Sequence, residues 1–187
     1  RIGYVSADLN YHSVGYFFEP LIENHNLEKF EIFIYYNNNK YDEKSKIIQS
    51  YCNNWRNIFQ NNDEYVFNLI KNDKIDILVD LSGHTAKSRL EVFRNKPAFK
   101  QISWLGYPAT TGLKSIDYKF TDLFADPIGE TNKYYTEKLY RIEDSFICYK
   151  NTHNTAIANF KPFENNKYIT FGSYNNISKI TKNNLET

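Results

Sequence analysis

The sequence contains no methionine, two cysteines, seven glycines and five prolines among 187 residues. Cys52 and Cys148 lie far apart and share no paired spacing, so neither a disulfide framework nor a cysteine metal box follows from them. Two reduced thiols in a cytosolic protein are expected, and the chain is read as cytoplasmic. No apolar run approaches the roughly 18 residues that span a bilayer, so no membrane association is expected. No signal peptide is visible either. The chain opens at Arg1, and with no methionine anywhere it reads as an internal fragment. A net charge of +1 argues against a whole-surface nucleic-acid binder. Several motifs are missing too: no Walker glycine-lysine loop, no G-x-G-x-x-G after the first strand, no H-E-x-x-H and no nucleophile elbow.

What is present is a soluble globular composition, 41% hydrophobic and 24% charged, with aromatics at 17%. Hydrophobic patterning predicts strands over residues 1–6, 30–36, 55–59, 75–81, 100–104, 117–121 and 139–142. Helices are expected over residues 16–25, 41–51, 63–71 and 85–94, the third capped by Asp63 and the last stopped before Pro97. Alternating strands and helices argue for a parallel sheet with helices on both faces. Residues 1–150 are expected to form this α/β unit. Residues 151–167 read as a polar linker with Pro162. Residues 168–187 read as the truncated start of a second lobe, with a strand at 168–171 and a helix beginning near Thr181.

Ligands of open parallel sheets bind beyond the carboxyl ends of the strands. Four loops there carry chemistry. Asp8 and His12 stand four apart after the first strand, a carboxylate and an imidazole suited to acid/base work near neutral pH; a capping acid beside a surface histidine would look the same. Gly83, His84 and Thr85 follow Asp80-Leu81-Ser82, where Gly83 permits a tight turn and Ser82 or Thr85 can simply cap a helix. Trp104 to Gly112 brings hydroxyls, backbone donors and the Tyr107 ring to one strand end, a mixture that suits a sugar as well as a plain structural loop. Phe171 to Lys179 places a lysine near a helix start, which favours an anion such as a diphosphate. His25 and His153 read as surface residues without partners.

Taken together these loops resemble the protein O-GlcNAc transferase family. The match runs from Arg1-Ile2-Gly3-Tyr4-Val5-Ser6-Ala7-Asp8 and His12-Ser13-Val14 through Ile77-Leu78-Val79-Asp80-Leu81-Ser82-Gly83-His84-Thr85. Trp104-Leu105-Gly106-Tyr107-Pro108 with Thr110-Thr111-Gly112 is its most specific part. Ile116-Asp117-Tyr118, Tyr135-Thr136-Glu137-Lys138-Leu139 and Phe171-Gly172-Ser173-Tyr174-Asn175-Asn176 continue it in order. The resemblance implies a Rossmann-like N-terminal lobe of a GT-B glycosyltransferase. It implies upstream tetratricopeptide repeats and a second lobe downstream. It also implies inverting transfer of N-acetylglucosamine from UDP-GlcNAc, the co-substrate, to Ser or Thr of an acceptor protein, with no cofactor and no metal. By position, Asp8 and His12 resemble the acceptor-side pair. Leu105, Gly106 and Pro108, with Tyr107 between them, resemble the loop against the sugar. His84 and Thr85 lie near the acceptor path, Asn176 near the nucleotide, and Lys179 resembles the lysine that stabilises the departing diphosphate. A fucosyltransferase using GDP-fucose and a non-catalytic scaffold lobe are the alternatives. The fragment is expected to be inactive alone.

Overall fold

The computed structural model describes residues 1–151, 156, 159–174 and 176–185. His153 and Asn175 lie outside the described residues. The chain divides into two compact units, Arg1–Lys150 and Asn151–Thr187.

The first unit is built on seven parallel strands: β1 (Ile2–Ser6), β2 (Ile32–Tyr36), β3 (Asn54–Asn57), β4 (Ile77–Asp80), β5 (Lys100–Ser103), β6 (Tyr118–Asp122) and β7 (Lys138–Ile142). Their order is β3-β2-β1-β4-β5-β6-β7. The central strands are buried on both faces, which is why β2 reads Ile-Phe-Ile-Tyr-Tyr with all five residues buried. Alternation sorts their side chains into two cores. Tyr4, Ile32, Ile34, Tyr36 and Val79 pack with Phe18 and Ile22 of α1 (Ser13–Glu23) and Ile48 of α2 (Glu43–Ser50). Val5, Phe33, Tyr35 and Leu78 pack with Val66 and Ile70 of α3 (Asp63–Asn72) and Val92 and Phe93 of α4 (Leu90–Arg94). Each fully buried side chain of this kind contributes about 1.5–3 kcal/mol.

Several local expectations change. α1 begins at Ser13, three residues ahead of the expected start, because the His12 ring caps it. α3 is capped by Asn62, whose Oδ1 accepts from Tyr65 N at 2.8 Å, and Asp63 is the first helical residue. α4 is half the expected length: residues 85–89 form turns, with Lys87 at φ +60°. Thr85 Oγ1 donates back to Ser82 O at 2.9 Å and caps nothing. His25 is not an isolated surface residue, since its Nε2 meets Tyr4 Oη at 2.7 Å.

In the second unit α5 (Pro162–Asn166) starts on a proline whose fixed φ suits a first helical position and ends at Lys167, φ +63°. It falls inside the stretch expected to be a linker. A 3-10 turn follows at Ile177–Lys179, then α6 (Lys182–Leu185). The strand expected at residues 168–171 does not form. Strands are stabilised by pairing, and among the described residues this segment pairs with no other; Phe171 is 92% exposed.

Candidate active site at the switch point of the sheet

Strand order reverses direction between β1 and β4, so the loops leaving those two strands part and open a crevice at their carboxyl ends. The loop after β1 is held firmly. Asn10 Nδ2 donates to Ala7 O at 3.2 Å and to the Tyr36 hydroxyl at 3.1 Å. Asn38 Nδ2 also reaches Ala7 O, at 2.8 Å, and Ser45 Oγ donates to Leu9 O at 2.8 Å. Gly15 lets α1 close onto this loop, since a Cβ there would lie 2.2 Å from Asn10 O. Asp8 sits half-buried on that frame, and among the described residues its carboxylate accepts no hydrogen bond. His12 Nδ1 accepts from Val14 N at 3.2 Å. The proton of the neutral ring therefore resides on Nε2, and the exposed His12 offers a donor there.

The loop after β4 turns on Asp80. Its buried carboxylate accepts from Ser82 N at 3.0 Å and Gly83 N at 2.8 Å. Burial raises its pKa to about 6, against the opposing pull of those two amides and of the Lys119 ammonium. Gly83 adopts φ +57° directly over Tyr107. His84 Nε2 meets the Thr111 carbonyl at 2.9 Å, so that nitrogen carries the proton and Nδ1 is left as an acceptor. The His84 and Tyr107 rings pack edge to face at 5.3 Å. A groove of about 380 Å³ opens beside His84, lined also by Asp63, Ser88, Glu91, Arg94 and Thr111.

The loop after β5 is clamped against both neighbours. A Cβ on Gly106 would lie 2.0 Å from Leu81 O, so this backbone touches the β4 loop directly. Leu105 is held in the left-handed region at φ +74°, a strained conformation for a bulky residue. Glu137 accepts from Thr110 Oγ1 and Thr111 N, each at 2.7 Å, and from Thr111 Oγ1. Burial works to raise its pKa, but the Thr111 and Thr110 bonds win and hold the carboxyl below its usual value.

This crest of polar loops over a parallel sheet has known counterparts. The model of glycosyl transferase family 41 matches residues 1–185. The chain belongs to that family. It is 40% identical over 190 residues to a rice protein, the probable UDP-N-acetylglucosamine--peptide N-acetylglucosaminyltransferase SPINDLY of Oryza sativa subsp. japonica, covering 99% of this chain and 20% of that protein. It is 30% identical over 159 residues to the UDP-N-acetylglucosamine--peptide N-acetylglucosaminyltransferase of Caenorhabditis elegans, covering 79% of this chain and 13% of the other. A solved structure of a mutant of the Thermobaculum terrenum O-GlcNAc transferase aligns with a TM-score of 0.76 at 38% identity, over 79% of this chain and 28% of that one. The chain spans about a fifth of the length of the plant relatives it matches. Its seven-stranded parallel sheet is Rossmann-like, as in the GT-B lobe of that O-GlcNAc transferase structure.

In family 41 terms, the structure brings His84, Thr85, Leu105, Gly106, Tyr107 and Pro108 onto two touching loops. Asp8 and His12 lie at the adjacent strand end. Asn176 and Lys179 belong to the second unit. There Asn176 Oδ1 accepts from Ser178 N at 3.0 Å and Lys179 ends an exposed 3-10 turn. Among the described residues no three His, Cys, Asp or Glu side chains converge as a metal site would require. Three charged residues of the crest were not singled out from sequence: Asp80, Lys119 and Glu137. For Lys119 the signal was there, a lysine at an inward position of the strand Tyr-Lys-Phe-Thr-Asp. Glu137 carried no such signal, because its partners lie 26 residues away.

Proposed function

We propose that the protein transfers N-acetylglucosamine from UDP-GlcNAc to Ser or Thr hydroxyls of proteins, with inversion and without a metal or other cofactor. The observation that carries this reading is the family match across residues 1–185 together with relatives whose names state that donor and a peptide acceptor. The acceptor oxygen attacks the anomeric carbon, the bond from that carbon to the diphosphate oxygen breaks, and the hydroxyl proton passes to a base. Asp8 and His84 Nδ1 are the acceptor groups of the crest able to take it. His12 donates through Nε2 and so orients a ligand rather than removing a proton. Leu105, Gly106, Tyr107 and Pro108 face the sugar, and Thr85 lines the acceptor side. Lys179 stabilises the charge that grows on the leaving diphosphate, with Asn176 beside the nucleotide. Because the chain spans a fifth of its plant relatives, the active protein is proposed to be longer, with tetratricopeptide repeats upstream and a second lobe downstream. This chain alone is proposed to be inactive. No described helix is long and apolar enough to cross a membrane, and we propose that the protein acts in the cytoplasm.

Thermal unfolding of the full-length protein with UDP-GlcNAc or GDP-fucose tests the donor. A ligand at a hundredfold excess over its Kd adds about 2.7 kcal/mol of stability. UDP-GlcNAc is expected to raise the Tm and GDP-fucose to leave it unchanged. The opposite pattern would make the protein a fucosyltransferase, and no response to either would favour a scaffold lobe.

A further inference from the structure

Lys119 lies in β6, 3% exposed, beneath the loop that follows β5. Its ammonium donates to the Tyr107 carbonyl at 2.7 Å. Among the described residues that is its single hydrogen bond, and no carboxylate forms an ion pair with it. Burial drives its pKa below the ordinary lysine value, while the more distant charges of Asp80, Glu137 and Asp126 pull it back up. An apolar side chain would fill this strand position without that desolvation penalty.

What the ammonium touches explains its presence. The loop over residues 104–112 has no regular structure, carries the strained Leu105 and is fixed by separate anchors. Trp104 Nε1 donates to Phe146 O at 2.8 Å, the Tyr135 hydroxyl to Pro108 O at 3.2 Å, and Glu137 holds Thr110 and Thr111. Lys119 supplies the anchor at the loop's centre, on the residue whose ring packs against His84. We propose that Lys119 is a positioning residue, which fixes the Tyr107 backbone and thereby sets how the loop addresses the sugar of the donor. The sugar is part of the transferase reading above; the control of the loop is independent of it.

Two measurements on the full-length protein separate these parts, each made on wild type, Lys119→Met and Lys119→Arg. The first is amide hydrogen exchange. Lys119→Met is expected to speed exchange across residues 105–112 on the order of tenfold, as the loss of one buried hydrogen bond implies, while β1 and β2 stay at wild-type rates. The second is calorimetric binding of UDP-GlcNAc and of UDP. Lys119→Met is expected to weaken UDP-GlcNAc on the order of tenfold and to leave UDP unchanged, because the loop addresses the sugar and not the nucleotide. Lys119→Arg, which keeps a cationic donor, is expected to restore both. Wild-type loop exchange in Lys119→Met, equally faster exchange in every strand, or an equal loss of UDP and UDP-GlcNAc affinity would overturn the proposal. If wild type binds neither nucleotide the transferase reading fails, and the exchange result alone decides the role of Lys119.

Discussion

Two glycines let the crest loops touch. A Cβ on Gly106 meets Leu81 O at 2.0 Å and one on Gly83 meets Tyr107 Cβ at 2.3 Å, whereas one on Gly112 meets nothing within 4 Å. Urea denaturation is therefore expected to show Gly106→Ala destabilising the first unit by about 2–3 kcal/mol. Gly112→Ala is expected to lose only about 1 kcal/mol, from its left-handed backbone. Equal losses would mean the two loops separate easily. Asp80 offers a pH test. Its pKa rises on folding from 3.8 to about 6, so the folded state binds that proton more tightly. The resulting stabilisation is complete below about pH 4 and disappears as pH rises through about 6. Measured against Asp80→Asn across that window, wild type should lose on the order of 3 kcal/mol of relative stability. A pH-independent difference would contradict the assignment. At this scale the strand-end positions of Asp8, His12, Gly106 and Tyr107 were legible, because each follows a strand that its own pattern marks. The tautomers of His12 and His84 were not, since the partners that set them are backbone atoms of Val14 and Thr111.

Helices and strands were legible where a segment's own pattern decided them, as in β2 and α3. They were misread where tertiary contacts decided. The 85–94 segment has helical composition throughout. Its first half is drawn into turns instead, because Lys87 O accepts from Asn37 Nδ2 at 2.7 Å and Lys87 Nζ donates to Asn38 Oδ1 at 2.8 Å. Residues 168–171 have strand composition and, among the described residues, no partner strand. Between α1 and α2 an ion pair joins Glu19 and Lys44, both nearly inaccessible, with the Lys44 ammonium 4.8 Å from the centre of the Tyr16 ring. Removing one partner strands the other charge, so Glu19→Ala is expected to destabilise by about 3–5 kcal/mol. Replacing both, Glu19→Leu with Lys44→Met, is expected to recover most of that in the same denaturation assay. A double variant as unstable as the single would show that packing, not the stranded charge, sets the penalty.

At the scale of the whole molecule, both hydrophobic cores and all seven strands lie within Arg1–Lys150. A chain ending at Lys150 is therefore expected to unfold cooperatively, as followed by circular dichroism. The residues proposed for the acceptor and sugar sides sit on this unit, while Asn176 and Lys179, proposed for the nucleotide side, belong to the other. The most direct test is mass-spectrometric detection of a transferred N-acetylhexosamine on an acceptor protein. Full-length wild type and folded Asp8→Asn and Lys179→Ala variants would each be incubated with UDP-GlcNAc. Wild type should modify Ser or Thr residues, and each variant should fall by on the order of a hundredfold or more. No transfer by wild type, or wild-type transfer by both variants, would contradict the account.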